Sequence, residues 1–363
     1  MLYYSQESTL YFGEIMEKDI KLLESLYAGR TAYYGELHDH SASGGTSDGK
    51  LPLADWKTAL QELGMDFATI LDHKQVSHMY LPEWDNTIFI GGTEPGTKIT
   101  DDEIENSIIH YNMIFARPKP LEELLNEFPE FKFEGGPEGH FGYPGFTRAR
   151  FTELVNAVHN KGGFFVHPHP TSKMKSDNPL DYWFRDDTGL EVFYTFYQEL
   201  GSERCQENFK LWKALLSLGK RVFATAGNDE HNVPKDKALT TIYATEKESA
   251  AYLQQLRSGD FVCGGVGIKM CVGDTPMGGQ TDFQGKQLVL CVDKFHKSLL
   301  HPEHTYRVEL HDDTGSVLSE EFVPGEPAWF AIDADPTKKF YRAEVYDNEK
   351  EFPIALGNPI WNK

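Results

Sequence analysis

Cysteine is scarce. Only Cys205, Cys263, Cys271 and Cys291 occur in 363 residues, and none stands in C-x-x-C spacing. This argues against a disulfide frame and a thiolate zinc knuckle, and reads as buried small side chains in a reducing compartment. No apolar run reaches the roughly 18 residues that a membrane-spanning helix needs. The N-terminus, Met1-Leu-Tyr-Tyr-Ser-Gln-Glu7, has no basic segment followed by an apolar one, so no secretory signal is read there. A cytoplasmic protein with no membrane partner is the expectation. Positive charge is also short, with 35 Lys and Arg against 56 Asp and Glu and a formal net charge of −21. A phosphate backbone calls for a basic face, so nucleic acid is not expected as a partner. The acidic balance suits a protein that gathers divalent cations.

What is present is a rhythm of apolar strands and amphipathic helices. Residues 1–31 form an N-terminal extension whose segment Ile15–Leu26 has a helical apolar period. From residue 32 a strand–helix alternation begins. Thr31–Leu37 reads as a strand, and Leu53, Trp56, Leu60 and Leu63 fall on one helix face closed by Gly64. Phe67–Leu71, Thr87–Glu94 and Ile108–Phe115 are apolar strands. Residues 117–147, with the turn-rich run Gly135–Gly145, break the rhythm as an insert or lid. It resumes with a helix over Arg150–Asn160 and strands at Phe164–Val166, Gly189–Phe193 and Arg221–Ala226. Helices flank the last of these, one carrying Cys205, Phe209, Trp212, Leu215 and Leu216, the other spanning Ala250–Leu256. Residues 263–363 change character. Short strand-like runs at Leu288–Val292, Tyr306–Leu310, Ala328–Ile332 and Tyr341–Tyr346 are separated by turn signals, giving a small β-sandwich.

The chemistry gathers at the strand ends. His38 and His40 stand two apart, which puts both imidazoles on one face of a strand. Asp48 follows on a Gly/Ser-rich loop. His73, Glu94, His110, His167, Asp229 and His231 lie at or near the ends of later strands. Where successive parallel strands share a C-terminal face, such residues converge. Six imidazoles and three carboxylates exceed what one ion needs. They fit two or three divalent metals with mixed N/O ligands, such as Zn, Mn or Fe.

The segments Glu-Leu-His38-Asp-His40-Ser, Ser-Asp48-Gly, Leu-Asp-His73, Gly-Thr-Glu94, Ile-His110, Val-His167-Pro and Gly-Asn-Asp229-Glu-His231 resemble, in order, the PHP (polymerase and histidinol phosphatase) superfamily over residues 32–262. That resemblance implies an α/β fold, a distorted (β/α)7 barrel related to the TIM barrel, with a trinuclear metal centre. It places His38, His40, Glu94 and Asp229 on one metal and Asp48, His73 and His231 on a second. A third is shared by Glu94, His110 and His167. The sequence departs from the family pattern at Glu36, where Asp is common, at Leu71 before Asp72-His73, and at Asn228 before Asp229. His169 shares the face of His167 on an extended segment. The family pattern needs only His167, which makes His169 a residue supporting the ligands. The segments Gln255–Val262, Met277–Gly279, Arg342–Asp347 and Asn358–Trp361 look like the CehA/McbA type within that superfamily, which carries a β-sandwich after the barrel.

Cations beside such a centre are candidates to hold a phosphate. They are Arg117, Arg148 and Lys173, with Arg150 and Lys175 near them, and after these Arg204 on a later helix. His140 in the insert reads as an ordinary loop histidine. The resemblance implies a metal-dependent hydrolase that releases phosphate from a small phosphorylated metabolite. A metal-activated water would attack, and Asp229, Asp48 or His231 would relay the proton. The same centre serves an amide, ester or carbamate hydrolase equally in principle. A non-catalytic, metal-stabilised carbohydrate-binding protein is the third reading.

Overall fold

The computed structural model describes residues 12–101, 104, 107–131 and 143–363, with the backbone only for residues 12–16. His140 lies outside these residues. Among them no helix is long and apolar enough to cross a membrane.

The first helix, α1 (Phe12–Leu26), leads into β1 (Thr31–Asp39). Helix α2 (Leu53–Leu63) buries Leu53, Trp56 and Leu60. It ends at Gly64, whose φ of 78° is the left-handed conformation that glycine adopts without a Cβ clash. Next come β2 (Phe67–Ile70), β3 (Phe89–Thr93), β4 (Gly96–Ile99), β5 (Ile108–His110) and β6 (Asn112–Phe115). After α3 (Pro118–Glu127), β7 (Gly145–Phe146) pairs with β4, which also pairs with β5, in a small separate sheet. Helix α4 (Arg148–Asn160) starts at Thr147, whose hydroxyl accepts the Arg150 N–H. Then follow β8 (Phe164–His167), α5 (Pro170–Lys173), β9 (Thr188–Tyr194), α6 (Glu203–Ser217) and β10 (Val222–Gly227). β11 (Thr240–Ala244), α7 (Ser249–Ser258) and β12 (Phe261–Gly264) complete this part.

β1, β2 and β3 are mutually parallel, as are β8, β9 and β10. β6 stands antiparallel to both β3 and β8, so the two groups run in the same direction. Their C-terminal ends therefore lie on one side. Beyond β10 the chain returns to β1 through a parallel bridge between Asp39 and Glu230, with the His40 N–H donating to the Glu230 carbonyl at 2.9 Å. The run expected as one strand over Ile108–Phe115 is two. The first half belongs to the small sheet and only the second half to the large one.

The remaining strands are β13 (Val266–Val272), β14 (Thr275–Pro276), β15 (Gln280–Thr281), β16 (Gln287–Phe295), β17 (Tyr306–His311), β18 (Ser316–Phe322), β19 (Ala328–Asp333), β20 (Phe340–Asp347) and β21 (Ala355–Asn362). β14, β13, β16 and β19 make a four-stranded sheet. β21, β20, β17 and β18 face it across a core that includes Ile268, Leu290, Val308 and Val345. The C-terminal part thus holds two packed layers of strands. What the sequence did not announce is that one layer continues the large sheet. β11 lies between β1 and β12, and β12 pairs with β21, giving a sheet of 14 strands. Asn358 of β21 reinforces the join, since its Oδ1 accepts the Ala224 N–H at 2.8 Å and its Nδ2 donates to the Phe261 carbonyl at 3.1 Å.

The N-terminal helix is part of the packing. Leu23 of α1 and Tyr27, just past its end, bury against Tyr243, Cys271, Val289 and Cys291. The Tyr27 hydroxyl and the Arg30 guanidinium both donate to the carboxylate of the buried Asp260, at 2.5 and 2.6 Å. All four cysteines are buried free thiols. Leu23 is fully buried. Leu23→Ala should therefore destabilise the protein by about 2–5 kcal/mol, read as a lower denaturant midpoint with unchanged slope.

Candidate metal centre

The common side of the parallel strands gathers the expected residues. His38 lies at the end of β1 and His40 just beyond it, His73 follows β2, Glu94 follows β3, and Asp229 and His231 follow β10. Three groups of donor atoms result, each with all its atoms within 4.8 Å of one another. The first is His38, His40, Glu94 and Asp229. The second is His40, Asp48, His73 and His231. The third is Glu94, His110 and His169.

Glu94 and Asp229 sit at the centre of the first group. His38 Nε2 lies 3.3 Å from Glu94 Oε2 and 3.5 Å from Asp229 Oδ1, and His40 Nε2 lies 3.3 and 3.2 Å from the same two oxygens. Asp48 Oδ1 is 3.4 Å from His73 Nε2 and 3.2 Å from His231 Nε2. Glu94 Oε1 is 3.0 Å from His110 Nδ1 and 3.1 Å from His169 Nε2.

The rear nitrogens of these imidazoles are held. Nδ1 of His38 meets Glu191 Oε1 at 3.0 Å, and Nδ1 of His73 meets the Glu94 carbonyl at 2.8 Å. Nδ1 of His231 meets the Asp229 carbonyl at 2.8 Å, and Nδ1 of His169 meets the Ser172 hydroxyl at 2.8 Å. Each contact holds its ring in place, and at His38, His73 and His231, where the partner can only accept, the neutral imidazole keeps its lone pair on Nε2. In all four, that Nε2 points to the carboxylates of the cluster. The Nε2 of His38 and both ring nitrogens of His40 are buried outside hydrogen-bond geometry.

The electrostatics follow from burial and proximity. Burial would raise the Glu94 carboxyl, but the charges of His38 and His110 hold it well below the usual carboxylate range. Asp229 is held below its ordinary value in the same way by His38 and His40. Burial opposes the charge on His40, yet the Asp229 and Glu94 carboxylates outweigh it and push the imidazole up to about 10. Burial, aided by the His40 charge, drives His73 down to about 4.

His167 is not in any of these groups. It ends β8, is buried, and packs against the rings of Tyr182 and Phe184, with its Nδ1 3.4 Å from the Tyr182 carbonyl. Burial pushes it down to about 3. His169 stands where His167 was expected. The reason is backbone geometry: the strand stops at His167, and His169 takes a φ of 30°. Side chains no longer alternate as they do along a strand. That turn is held by the His169 N–H donating to Glu191 Oε2 at 2.6 Å.

Glu191 was missed because it stands inside the apolar run of β9. A carboxylate buried in mid-strand requires a partner, and that was the available signal. Asp72 is the other missed residue. Its carboxylate accepts the Ser41 N–H at 2.6 Å and the Ser41 hydroxyl at 2.8 Å, which ties the loop between His40 and Asp48 to the end of β2. Glu36 accepts the N–H groups of His38 and Asn228.

The centre opens into a cavity of about 410 Å³ lined also by Tyr143, Ser172, Lys173, Tyr194, Phe196 and Arg204. Of the cations expected to meet a substrate, Lys173 lines it. Arg148 does not: its Nη2 donates to the carbonyls of Leu180, Asp181 and Trp183, and its guanidinium lies over the Phe184 ring. Arg117 is an exposed residue at the start of α3, away from the cavity lining. Arg150 pairs with Glu130 and Glu153, and the Lys175 ammonium binds the Thr171 carbonyl. Arg204, which lines the cavity, takes the place expected of these arginines. A fourth donor group, Glu309, His311 and Glu344, lies on the C-terminal sheet. Its carboxylates already bind Arg307, Arg342 and Tyr346.

No family model matches the sequence, and no curated protein does. Solved structures similar to the chain include endonuclease Q in complex with a 27-mer duplex substrate bearing an abasic lesion at the active site. There the TM-score is 0.41 and the identity 11%, over 62% of this chain and 57% of that one. The lesion-specific endonuclease PfuEndoQ from Pyrococcus furiosus gives a TM-score of 0.42 and 12% identity over 62% and 56%. The chain thus spans little more than half the length of either. These findings correct the expectation that nucleic acid is excluded, since structures similar to the chain are endonucleases and one holds a duplex. Physically, a net charge of −21 describes the whole surface, whereas Lys173 and Arg204 line the cavity itself. A likeness this low assigns no substrate.

Gly227 shows how tightly the centre is supported. A Cβ there would lie 2.0 Å from Glu191 Oε1 and 2.7 Å from the His38 Cβ. Gly227→Ala should displace both residues and destabilise the protein by about 1–3 kcal/mol, measured as a fall in the denaturant midpoint.

Proposed function

We propose that the chain is a metal-dependent hydrolase that cleaves phosphate esters. The observation that carries this reading is the set of imidazoles whose rear nitrogens are pinned while their front nitrogens converge on three buried or half-buried carboxylates. Pinned histidines of this kind are the usual support of a metal site. The donors are nitrogen and oxygen only, and they fit Zn, Mn or Fe. Two or three ions would be held. His38, His40, Glu94 and Asp229 would hold one, Asp48, His73 and His231 with His40 beside them a second, and Glu94, His110 and His169 a third.

Such ions supply positive charge to a phosphoryl oxygen and lower the pKa of a water. The chain's own residues do the rest. Asp229 and Asp48, both held ionised by neighbouring imidazoles, are placed to take a proton and pass it on, with His231 beside Asp48 as the next carrier. The Tyr194 hydroxyl donates to Asp229 Oδ2 at 3.0 Å, which orients the other oxygen toward His38 and His40. Lys173 and Arg204 line the approach and are suited to the non-reacting phosphate oxygens.

The resemblance to the PHP superfamily supports the same reading. Under it, the strands β1, β2, β3, β6, β8, β9 and β10 form a distorted (β/α)7 barrel closed at the Asp39–Glu230 bridge. Residues 32–262 are its domain, 263–363 the sandwich of the CehA/McbA type, and 117–147 the insert. A small phosphorylated metabolite is the proposed substrate.

Metal analysis of protein purified without chelator, with a hydrolysis screen under the same metal, tests this. Two or three ions per chain and turnover of phosphomonoesters or phosphodiesters are expected. Turnover confined to carboxylate esters, amides or carbamates would move the reaction to a carbonyl. Glu94→Ala should abolish both bound metal and turnover, and full activity in that variant would refute the proposal. His169→Ala should lose about one metal equivalent. His167→Ala should keep the metal and lose stability instead, by about 2 kcal/mol or more.

A further inference from the structure

The mouth of the cavity carries an aromatic pair that the metal centre does not use. Phe196 lines the cavity, with its ring centroid 5.6 Å from that of His231. Tyr197 follows it, 4.1 Å away between centroids, and is 72% exposed. The backbone makes this unusual. Thr195 to Gln198 form a tight turn closed by the Gln198 N–H on the Thr195 carbonyl at 2.9 Å. Its third residue, Tyr197, has a φ of 53°. Glycine or asparagine normally takes that place, and a bulky side chain there is strained. The strained position thus holds a large ring mostly out in solvent, with Phe196 and Lys235 against it.

One cation stands against the pair and a second on the same cavity wall. The Lys235 ammonium sits 5.8 Å from the Tyr197 ring centroid and is anchored at 2.5 Å to Glu230, the residue that bridges to β1. The Arg204 guanidinium stands 5.4 Å from the Tyr194 ring centroid, on the cavity wall that also holds Phe196.

We infer that the organic part of the substrate contains a planar aromatic ring, which packs against Phe196 and Tyr197 while the reacting ester reaches the metal centre. The inference rests on the hydrolase reading and names its substrate class: an ester whose organic part carries an aromatic ring. The two rings are tilted by 50°, so a flat π-face would meet one of them by offset stacking and the other edge-on, and the cations near them would meet the anionic part. Stacking of this kind contributes an amount equivalent to a several-fold to tenfold preference.

Matched substrates separate the ring from the bond. Benzyl and cyclohexylmethyl esters have similar leaving groups and differ in aromaticity. Each would be assayed as the phosphate and as the acetate, with the metal-replete full chain. The expected result is a kcat/KM ratio of about ten in favour of benzyl. In Tyr197→Ala the ratio should fall toward one, and in Tyr197→Phe it should persist. A wild-type ratio near one, or a ratio that survives in both Tyr197→Ala and Phe196→Leu, would overturn the inference. Preference for benzyl among acetates alone would keep the platform and remove the phosphoesterase reading. Should neither ester turn over, the same ratio is read from the dissociation constants of benzylphosphonate and cyclohexylmethylphosphonate. There a preference for the benzyl compound that Tyr197→Ala removes supports the platform, and equal binding overturns it. Melting curves of each variant confirm that it is folded.

Discussion

A carboxylate only 1% exposed, as Glu94 is, needs opposite charge around it from several directions. Glu94 meets His38, His40 and His73 through one oxygen and His110 and His169 through the other. These histidines come from β1, the segments after β1, β2 and β8, and β5. The demand can be met only if those elements end at one level on one side of the molecule. The parallel course of β1–β3 and β8–β10 provides that level. The reversed strand β6 returns the chain between the two groups without using up a position at that face.

Support from behind makes the cluster definite. Glu191 joins His38 to the backbone of His169, and Asp72 joins the loop after His40 to the end of β2. Neither carboxylate faces the cavity. Each converts a flexible junction into a fixed one, so that imidazole nitrogens separated widely in the chain keep their aim. Gly227 is the space that allows Glu191 and His38 to sit side by side.

Periodicity and position made part of this arrangement readable. His38 and His40 share a face because strand side chains alternate, and apolar runs that end on Asp, Glu or His announce strand ends. The exchange of His167 for His169 was not readable, because it depends on a single backbone torsion after β8. Nor was the role of Arg148, or which of the candidate arginines would reach the cavity. Arg148 spends its donors on loop carbonyls, while Arg204 reaches the cavity from the helix α6. Strand β11, Thr240–Ala244, carries two threonines and no clear alternation, since both its faces are buried. Composition located the C-terminal sandwich but did not give its partner strand, because hydrogen bonding between backbones leaves no trace in side-chain identity.

That shared strand pairing sets an order of events during synthesis. β12 leaves the ribosome well before β21, yet β21 covers its open edge. Until β21 emerges, β12 exposes a row of unpaired backbone groups, the kind of edge that pairs with other chains. Asn358, which links β21 to Ala224 and Phe261, arrives equally late. The half of the molecule that carries the candidate metal centre is thus finished by the later β21, and a nascent chain halted between the two would be a template for self-association rather than a smaller working protein.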